Sequence, residues 1–533
     1  MLPYSQANRA HFIESLKNET YDLLIIGGGI TGCGIALDAA LRGLKVALVE
    51  KNDFAFGTSS RSTKLIHGGL RYLKQLEFKL VHDVGSERAI VYRNARHLVI
   101  PEKMLLPIIK NGSLSKNATS LGLWVYDLLA GVKDAEKRIM LSAPKALKAE
   151  PLLNTQKVTG GGLYYEYRTD DARLVIELAK SAYKEGALPI NYIECTDFLY
   201  EKNTINGIKA VDILTNEAFE IKARNVVNAG GPFVDLLRKK NNSLFGKRLQ
   251  LTKGVHLVFD YERLPIQQAV YFDTPDKRMI FAIPRDGITY VGTTDTLYTD
   301  SIDAPTISDK DIDYILAATN EMFPAAKLTK KDVVSGWAGL RPLIYEDGKS
   351  PSELSRKDEI IISESGLISI AGGKLTGYRL MAKKIVDLVG KNLLSYQKHV
   401  GDCKTKNYRL SGGELESRQE ALDFIQKLAT DFPQIAEAQL PKWFYRYGKN
   451  TTEVIAHFQQ TNDVVLAELA YCFENEMIAN DVDFLVRRTG FLFFDIRQAK
   501  TATMPTHAFL QKKLPQSLLK FSIDEELSKV AVD

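Results

Sequence analysis

Residues 21–50, YDLLIIGGGITGCGIALDAALRGLKVALVE, constrain the fold of this chain more than any other stretch, because they spell one complete βαβ unit. The apolar run Leu23 to Ile26 predicts a strand, which meets a G-x-G-x-x-G turn at Gly27, Gly29 and Gly32. An Ala/Leu-rich helix runs from there to Arg42, with Gly43 as its stop, and a second strand, Lys45 to Val49, ends in Glu50. The three glycines serve a tight turn, the close approach of backbone to a pyrophosphate, and close helix–strand packing. The helix N-terminus offers N–H groups and the positive end of a dipole to the phosphates. Glu50 stands where a carboxylate accepts ribose hydroxyls. With strand, helix, second strand and acid in register, the unit reads as a dinucleotide site. A transmembrane helix is the competing reading, since Leu23 to Leu37 carries no charge, but that run holds five glycines. It also falls short of the about 20 apolar residues that a span needs. Residues 1–20 are polar and of mixed charge, so no signal peptide is expected.

The length of 533 residues implies more than one domain, and 45% hydrophobic content is enough for large cores. A net charge of +5 from 70 basic and 65 acidic residues is too balanced for a nucleic-acid binder. It suits an acidic substrate or an anionic membrane surface. The four cysteines, Cys33, Cys195, Cys403 and Cys472, form no C-x-x-C pair, which fits a reducing cytoplasm. The eight histidines show no ligand spacing, and no structural metal is expected.

Beyond Glu50, a loop dense in Gly, Ser, Thr and Lys runs into a helix ending near Arg96. Residues 113–130, containing GLWVYDLLAG, read as a buried or partner-facing helix. An amphipathic helix from Asp171 to Glu185 stops at Gly186, and three short strands lead to a strand with a Gly-Gly turn, NVVNAGGPFVD (225–235). Residues 249–296 alternate with period two, and Pro284-Arg285-Asp286-Gly287 marks a turn between β-rich runs, so an antiparallel sheet with one buried face is expected. A third strand, Gly-Gly turn and helix follow at 367–390, and from about Cys403 the pattern is helical. Three strand–turn segments, at 27–32, 229–231 and 371–373, therefore converge on one discontinuous nucleotide domain. A large dinucleotide held along its whole length, FAD, explains that arrangement better than a nicotinamide cofactor does.

The expected fold is α/β: a discontinuous Rossmann-like FAD-binding domain, an inserted antiparallel-sheet substrate domain and a C-terminal all-α domain. The oxidoreductase region spans 1–400, with FAD-binding segments at about 20–110, 155–240 and 335–400 and substrate-domain segments at about 111–154 and 241–334. Residues 401–533 form the helical domain.

At TSSRSTKLIHGGLRYL (58–73) the sequence resembles the FAD-dependent glycerol-3-phosphate dehydrogenases, a branch of the D-amino-acid-oxidase-like flavoproteins. The resemblance extends to NAGGPFVD (228–235), GLRPL (339–343), AGGKLTGYR (371–379) and DFLVRRTGF (483–491), nearly the whole chain in order. The glycine pattern is shared by many flavoproteins; KLIHGGLRYL discriminates far better. The resemblance implies non-covalent FAD, with Thr58, Ser59, Thr63, Lys64 and Leu65 along the flavin and pyrophosphate. Ala229 and Gly230 stand at the second turn, and Gly373, Lys374, Leu375 and Thr376 at the third. A helix N-terminus and the Lys374 cation there would stabilise the negative charge of a reduced flavin.

The implied substrate, sn-glycerol 3-phosphate, carries about two negative charges and calls for arginines that grip phosphate bidentately. Arg71, Arg341 and Arg356 match the family's substrate-site arginines, with Tyr72 adjoining. Gly339 and Pro342 beside Arg341 imply a rigid loop. Oxidation to dihydroxyacetone phosphate takes hydride from C2 to flavin N5 while a base removes the hydroxyl proton. His67 in the IHGG turn and His256 in KGVHLVF are the two candidates; alternatively Lys374 and Arg341 stabilise the alkoxide with no single essential base.

The resemblance further implies a membrane quinone as acceptor and a cytoplasmic protein held peripherally on the inner face of the membrane. Amphipathic contact at Leu121–Leu129 is one candidate, against a buried core helix. A homodimer is compatible. Three alternatives stay open: an oxidase producing hydrogen peroxide, although the family's oxidases carry an internal insertion not seen here; an amine or amino-acid oxidase of the same superfamily; and a flavin-binding scaffold whose helical domain recruits a partner.

Overall fold

The computed structural model describes residues 1–67, 78–110, 112, 119, 137–276, 278–345, 358–514 and 526. The opening unit folds as its sequence dictates. Strand β1 (Leu23–Ile26) is buried throughout, helix α1 (Ile30–Leu41) starts from Gly29, and strand β2 (Val46–Glu50) returns beside β1 in parallel. They lie in a six-stranded sheet ordered Asp358–Ile362, Ile368–Gly372, Val226–Asn228, β1, β2, Leu188–Asn191. All its pairings are parallel except the outermost, Asp358–Ile362 against Ile368–Gly372. The strands entering the turns at 229–231 and 371–373 thus lie on one side of β1, the first beside it and the second one strand further out. Helix α2 (Asp171–Lys184) is capped by Asp170, whose side chain accepts from Arg173 N at 3.0 Å, and Gly186 past its end has φ 93°. The three strands expected after α2 form a meander, Ile193–Glu201, Thr204–Asp212 and Glu217–Ala223, in a separate four-stranded sheet.

The inserted sheet is larger than the alternation at 249–296 indicated. Among the described residues it has ten strands, built around strand β3 (Leu249–Asp260), which pairs antiparallel with Ile288–Gly292 and with strand β4 (Val333–Ile344). Ile100–Ile109 and Val158–Arg168, expected with the FAD-binding segments, join this sheet instead, as does β4. One pairing, Ala269–Asp273 with Ile100–Ile109, is parallel. The chain traverses the nucleotide domain between those two strands, and a parallel pair requires such a long crossover. GLRPL is likewise a strand and not a loop: Arg341 and Pro342 sit opposite Thr252 and Leu251. Among the described residues β4 pairs on one side only, so the missing N–H of Pro342 is tolerated there.

Helix α3 (Tyr378–Leu393) packs on α1 where a Cβ on Gly34 would lie 2.7 Å from Tyr378 Cδ2, so only glycine permits this approach. From 418 to 513 the chain is helical, with Ser417, Asp463 and Asp495 capping helices through their side chains. This domain is locked to the nucleotide domain by buried charge. Asp53, three residues past Glu50, takes Arg487 Nε at 2.6 Å and Arg488 at 2.6 and 2.9 Å, while Glu476 takes Arg173 of α2 at 2.6 Å. Burial would raise the Asp53 carboxyl, but Arg488 and Arg487 outweigh it and hold it below its usual range. No helix among the described residues is long and apolar enough to cross a membrane, and 121–129 lies outside the described residues.

Candidate functional site

The nucleotide cleft is a cavity of about 200 Å³ floored by the three turns, with Gly27, Gly29, Glu50, Ala229, Gly230 and Gly373 in its wall. Gly27 has φ 115°, and a Cβ there would strike Ala229 O at 2.5 Å, so the first two turns meet backbone to backbone. Gly32 faces away from the cavity. Its Cβ would fall 1.8 Å from Gly27 O, which makes it the residue that lets the helix press onto the turn. Ser59 Oγ accepts from Ile30 N at 3.0 Å and so caps the first turn of α1 at the place the pyrophosphate would occupy. Glu50 is held at the tip of β2 by Gly28 N at 2.6 Å and Asn52 N at 2.8 Å. Burial raises its carboxyl above the usual range, against the pull of those two N–H groups. A glycine turn, a helix N-terminus and a buried acid in one cleft fit a dinucleotide. The family considered below makes it FAD.

A second cavity of about 150 Å³ adjoins the cleft, sharing Thr58, Ser62, Gly373 and Lys374 with it. His67, His256, Arg341, Thr63, Leu65 and Thr376 complete the constellation. Arg341 crosses β3 above Gly254, where a Cβ would lie 2.3 Å from Nη2. Its fork donates to Thr293 Oγ1 at 2.8 Å, Thr294 O at 3.1 Å and Asp295 Oδ1 at 3.2 Å. His256 is buried and stacks on Trp337 at 4.8 Å, with Nε2 3.0 Å from Thr63 Oγ1. Burial, then Arg341 and Lys64, hold its imidazole well below the ordinary histidine value, so it is neutral. His67 lies edge-on to Phe281, and its carbonyl accepts from Thr376 Oγ1 at 3.3 Å, which ties His67 to the third turn.

The loop 58–63 docks on β4. Thr58 Oγ1 donates to Leu340 O at 2.6 Å, Trp337 Nε1 donates to Ser62 O at 3.1 Å, and a Cβ on Gly339 would meet Arg61 O at 2.5 Å. Lys64 lines neither cavity. Its backbone has φ 57°, and Nζ turns inward to Asp171 Oδ1 at 2.6 Å and Ser60 O at 2.8 Å. A buried ammonium needs a carboxylate, and Asp171 at the start of α2 provides the nearest. Arg71, Tyr72 and Arg356 lie outside the described residues. Sequence reasoning missed Arg61 in the cavity wall, Gly254 beneath Arg341, and the Thr293–Asp295 anchor. The run GTTDT after a strand was the one signal for that anchor.

Two family models match the chain: FAD dependent oxidoreductase over residues 22–379, and the C-terminal domain of alpha-glycerophosphate oxidase over 403–517. The aerobic glycerol-3-phosphate dehydrogenase of Bacillus subtilis is 52% identical over 510 residues, covering 93% of this chain and 92% of that protein. The enzyme of the same name from Staphylococcus aureus is 51% identical over 506 residues, covering 92% and 91%. The structure of the glycerol-3-phosphate dehydrogenase from Bacillus halodurans complexed with FAD aligns with a TM-score of 0.84 at 44% identity, over 99% of this chain and 98% of that one. The L-alpha-glycerophosphate oxidase of Mycoplasma pneumoniae with FAD bound shares the fold, with a TM-score of 0.58 at 19% identity over 74% of this chain and 99% of that one.

Proposed function

From its place in the FAD-dependent glycerol-3-phosphate dehydrogenase family, to which this chain belongs, we propose that the protein oxidises sn-glycerol 3-phosphate to dihydroxyacetone phosphate and passes the electrons to a quinone. The observation that carries this reading is the meeting of Arg341, Lys374, His67 and His256 in one cavity that shares its wall with the nucleotide cleft. FAD, when bound, supplies the acceptor for the hydride that leaves C2. Gly27, Gly29, Ser59 and the α1 N-terminus would hold its pyrophosphate, Glu50 its ribose, and Thr58, Ala229, Gly230, Gly373, Lys374 and Leu375 its remaining length.

Arg341 grips the phosphoryl group. Its fork is oriented in advance by Thr293, Thr294 and Asp295, so little rotamer entropy is lost on binding. Arg71, Tyr72 and Arg356 are the further proposed phosphate contacts. Lys374 and the turn leading into α3 put positive potential beside the C2 oxygen, where charge develops as its proton leaves. His67 receives that proton. His256 is the weaker base, because its proton affinity is depressed and Nε2 is engaged by Thr63; it stays neutral and packs the floor of the site. A quinone resides in lipid, so the protein would work at the membrane surface.

Anaerobic mixing of the yellow holoenzyme with glycerol 3-phosphate tests the substrate half. The flavin band should bleach with glycerol 3-phosphate and persist with glycerol; persistence with both sinks the reading. With a soluble quinone present in air, peroxide well below one equivalent per turnover supports the quinone over oxygen as acceptor.

A further inference from the structure

The C-terminal helical domain reaches the nucleotide cleft from behind, through the loop that follows Glu50. Asp53 is fully buried, and its carboxylate accepts four hydrogen bonds. They come from Arg487 Nε at 2.6 Å, Arg488 Nη1 at 2.6 Å and Nη2 at 2.9 Å, and Asn191 Nδ2 at 2.9 Å. Both arginines lie in one π-helical turn, Asp483–Arg488, closed by Thr489 N on Phe484 O at 3.0 Å. Turns of that kind are rare and concentrate at functional sites. A second arm runs through Asn52. Its carbonyl accepts from Tyr192 N at 2.9 Å, and Tyr192 Oη donates to Asp483 Oδ1 at 2.6 Å and accepts from Asn480 Nδ2 at 2.7 Å.

What the two arms grip is the back wall of the cleft. Asn52 N holds Glu50 Oε1 at 2.8 Å, and Asn191 sits opposite Glu50 across the parallel strands. Ala55 N donates to Gly28 O at 3.0 Å, within the first glycine turn, and Phe56 lines the cleft itself. Charge is transmitted as well as shape. Burial raises the Glu50 carboxyl and the Asn52 and Gly28 N–H groups lower it; of the nearby charges Asp53 raises it and Arg487 lowers it. The arginines thus offset a like charge three residues from the acid that must be ionised to accept ribose hydroxyls strongly.

We infer that the helical domain is a retention clasp for the cofactor: Arg487 and Arg488 are positioning residues that, through Asp53, hold Glu50 and the loop to Phe56 in the shape that binds the adenosine half of FAD. The inference concerns cofactor affinity alone, so it is independent of which substrate the flavin oxidises. Such coupling is reciprocal, and bound FAD strengthens the seating of the clasp by the same factor.

The test follows diluted holoenzyme by the rise in flavin fluorescence as FAD leaves. Arg488→Lys keeps the charge and loses the fork, and should raise the dissociation constant for FAD about tenfold; Tyr192→Phe, a smaller change in the second arm, should raise it about threefold. With FAD in excess, the visible flavin spectrum of both variants should match the wild type, since the ring end is untouched. Glu468→Gln is the control for stability. It breaks a buried contact of the same domain outside both arms, Tyr447 Oη on Glu468 Oε2 at 2.8 Å, and weakens the pairing of Glu468 with Arg446. It should lower the melting temperature and leave FAD affinity within about twofold of wild type. Equal FAD loss in Glu468→Gln, or wild-type affinity in both Arg488→Lys and Tyr192→Phe, overturns the inference and leaves the network a stabilising one only. Should Arg488→Lys fail to fold, Tyr192→Phe against Glu468→Gln decides.

Discussion

Replacing Gly254 by alanine tests the substrate grip without substituting any charged residue. A Cβ at this position would lie 2.3 Å from Arg341 Nη2 and 2.5 Å from Thr293 Oγ1, distances that no real contact sustains. The atoms struck are side-chain ends, so the guanidinium swings away and the strand survives. Gly254 lies within β3 with no positive φ, and alanine there lowers the entropy of the unfolded chain by about 0.4–1 kcal/mol, so stability should hold or rise slightly. The displaced fork loses Thr293 and its set orientation. A hydrogen bond to a charged partner contributes about 1.5–3 kcal/mol, so kcat/KM for glycerol 3-phosphate should fall about ten- to hundredfold. Flavin content and the melting temperature should be unchanged. The assay is dye-coupled turnover across substrate concentrations, with Arg341→Lys as a comparison that keeps the charge and loses the fork. If Gly254→Ala retains kcat/KM within about twofold, Arg341 does not grip the phosphate as placed.

Asp53→Asn would leave Arg487 with Asp483 at 2.7 Å and Arg488 with Glu476 at 3.4 Å but remove the carboxylate they share, a loss of about 3–5 kcal/mol measurable by urea unfolding; a loss below about 1 kcal/mol would show that the network is incidental. Because the Asp53 carboxyl is depressed to about 2 in the fold, its contribution is complete above its unfolded value of about 4 and fades as pH drops through that window. Stability of Asp53→Asn should accordingly be flatter than wild type between those values. Glu50→Gln should weaken FAD binding about tenfold by removing the charged acceptor for ribose hydroxyls, read from flavin release on dilution; unchanged retention would place the adenosine elsewhere. His256→Gln should leave the acidic limb of the kcat/KM profile where it is, since the His256 imidazole is neutral well below the usual histidine range; a limb that vanishes would make His256 the base.

The sequence determined the parts whose physics is local. A positive φ at Gly27, an intolerable Cβ at Gly32 and four buried residues at Leu23–Ile26 are each demanded within a few residues of chain, so the βαβ unit and its acid were legible without a structure. The turns at 229–231 and 371–373 were legible for the same reason, and Arg341 from the resemblance with Lys374 and the two histidines from their chemistry were named before one cavity was found to hold them. The tertiary structure decided what depends on a distant partner. Alternating residues at 100–109 and 158–168 do not say which sheet they join, because a strand's edge bonds to whichever neighbour the chain delivers. Lys64 sits in a loop that suggests a ligand contact, yet it is claimed by Asp171, and DFLVRR reads as one more helical turn until Arg487 and Arg488 are found on Asp53, more than 400 residues earlier. A buried charge takes its role from the countercharge that folding brings to it, and no period or spacing along the chain encodes that countercharge.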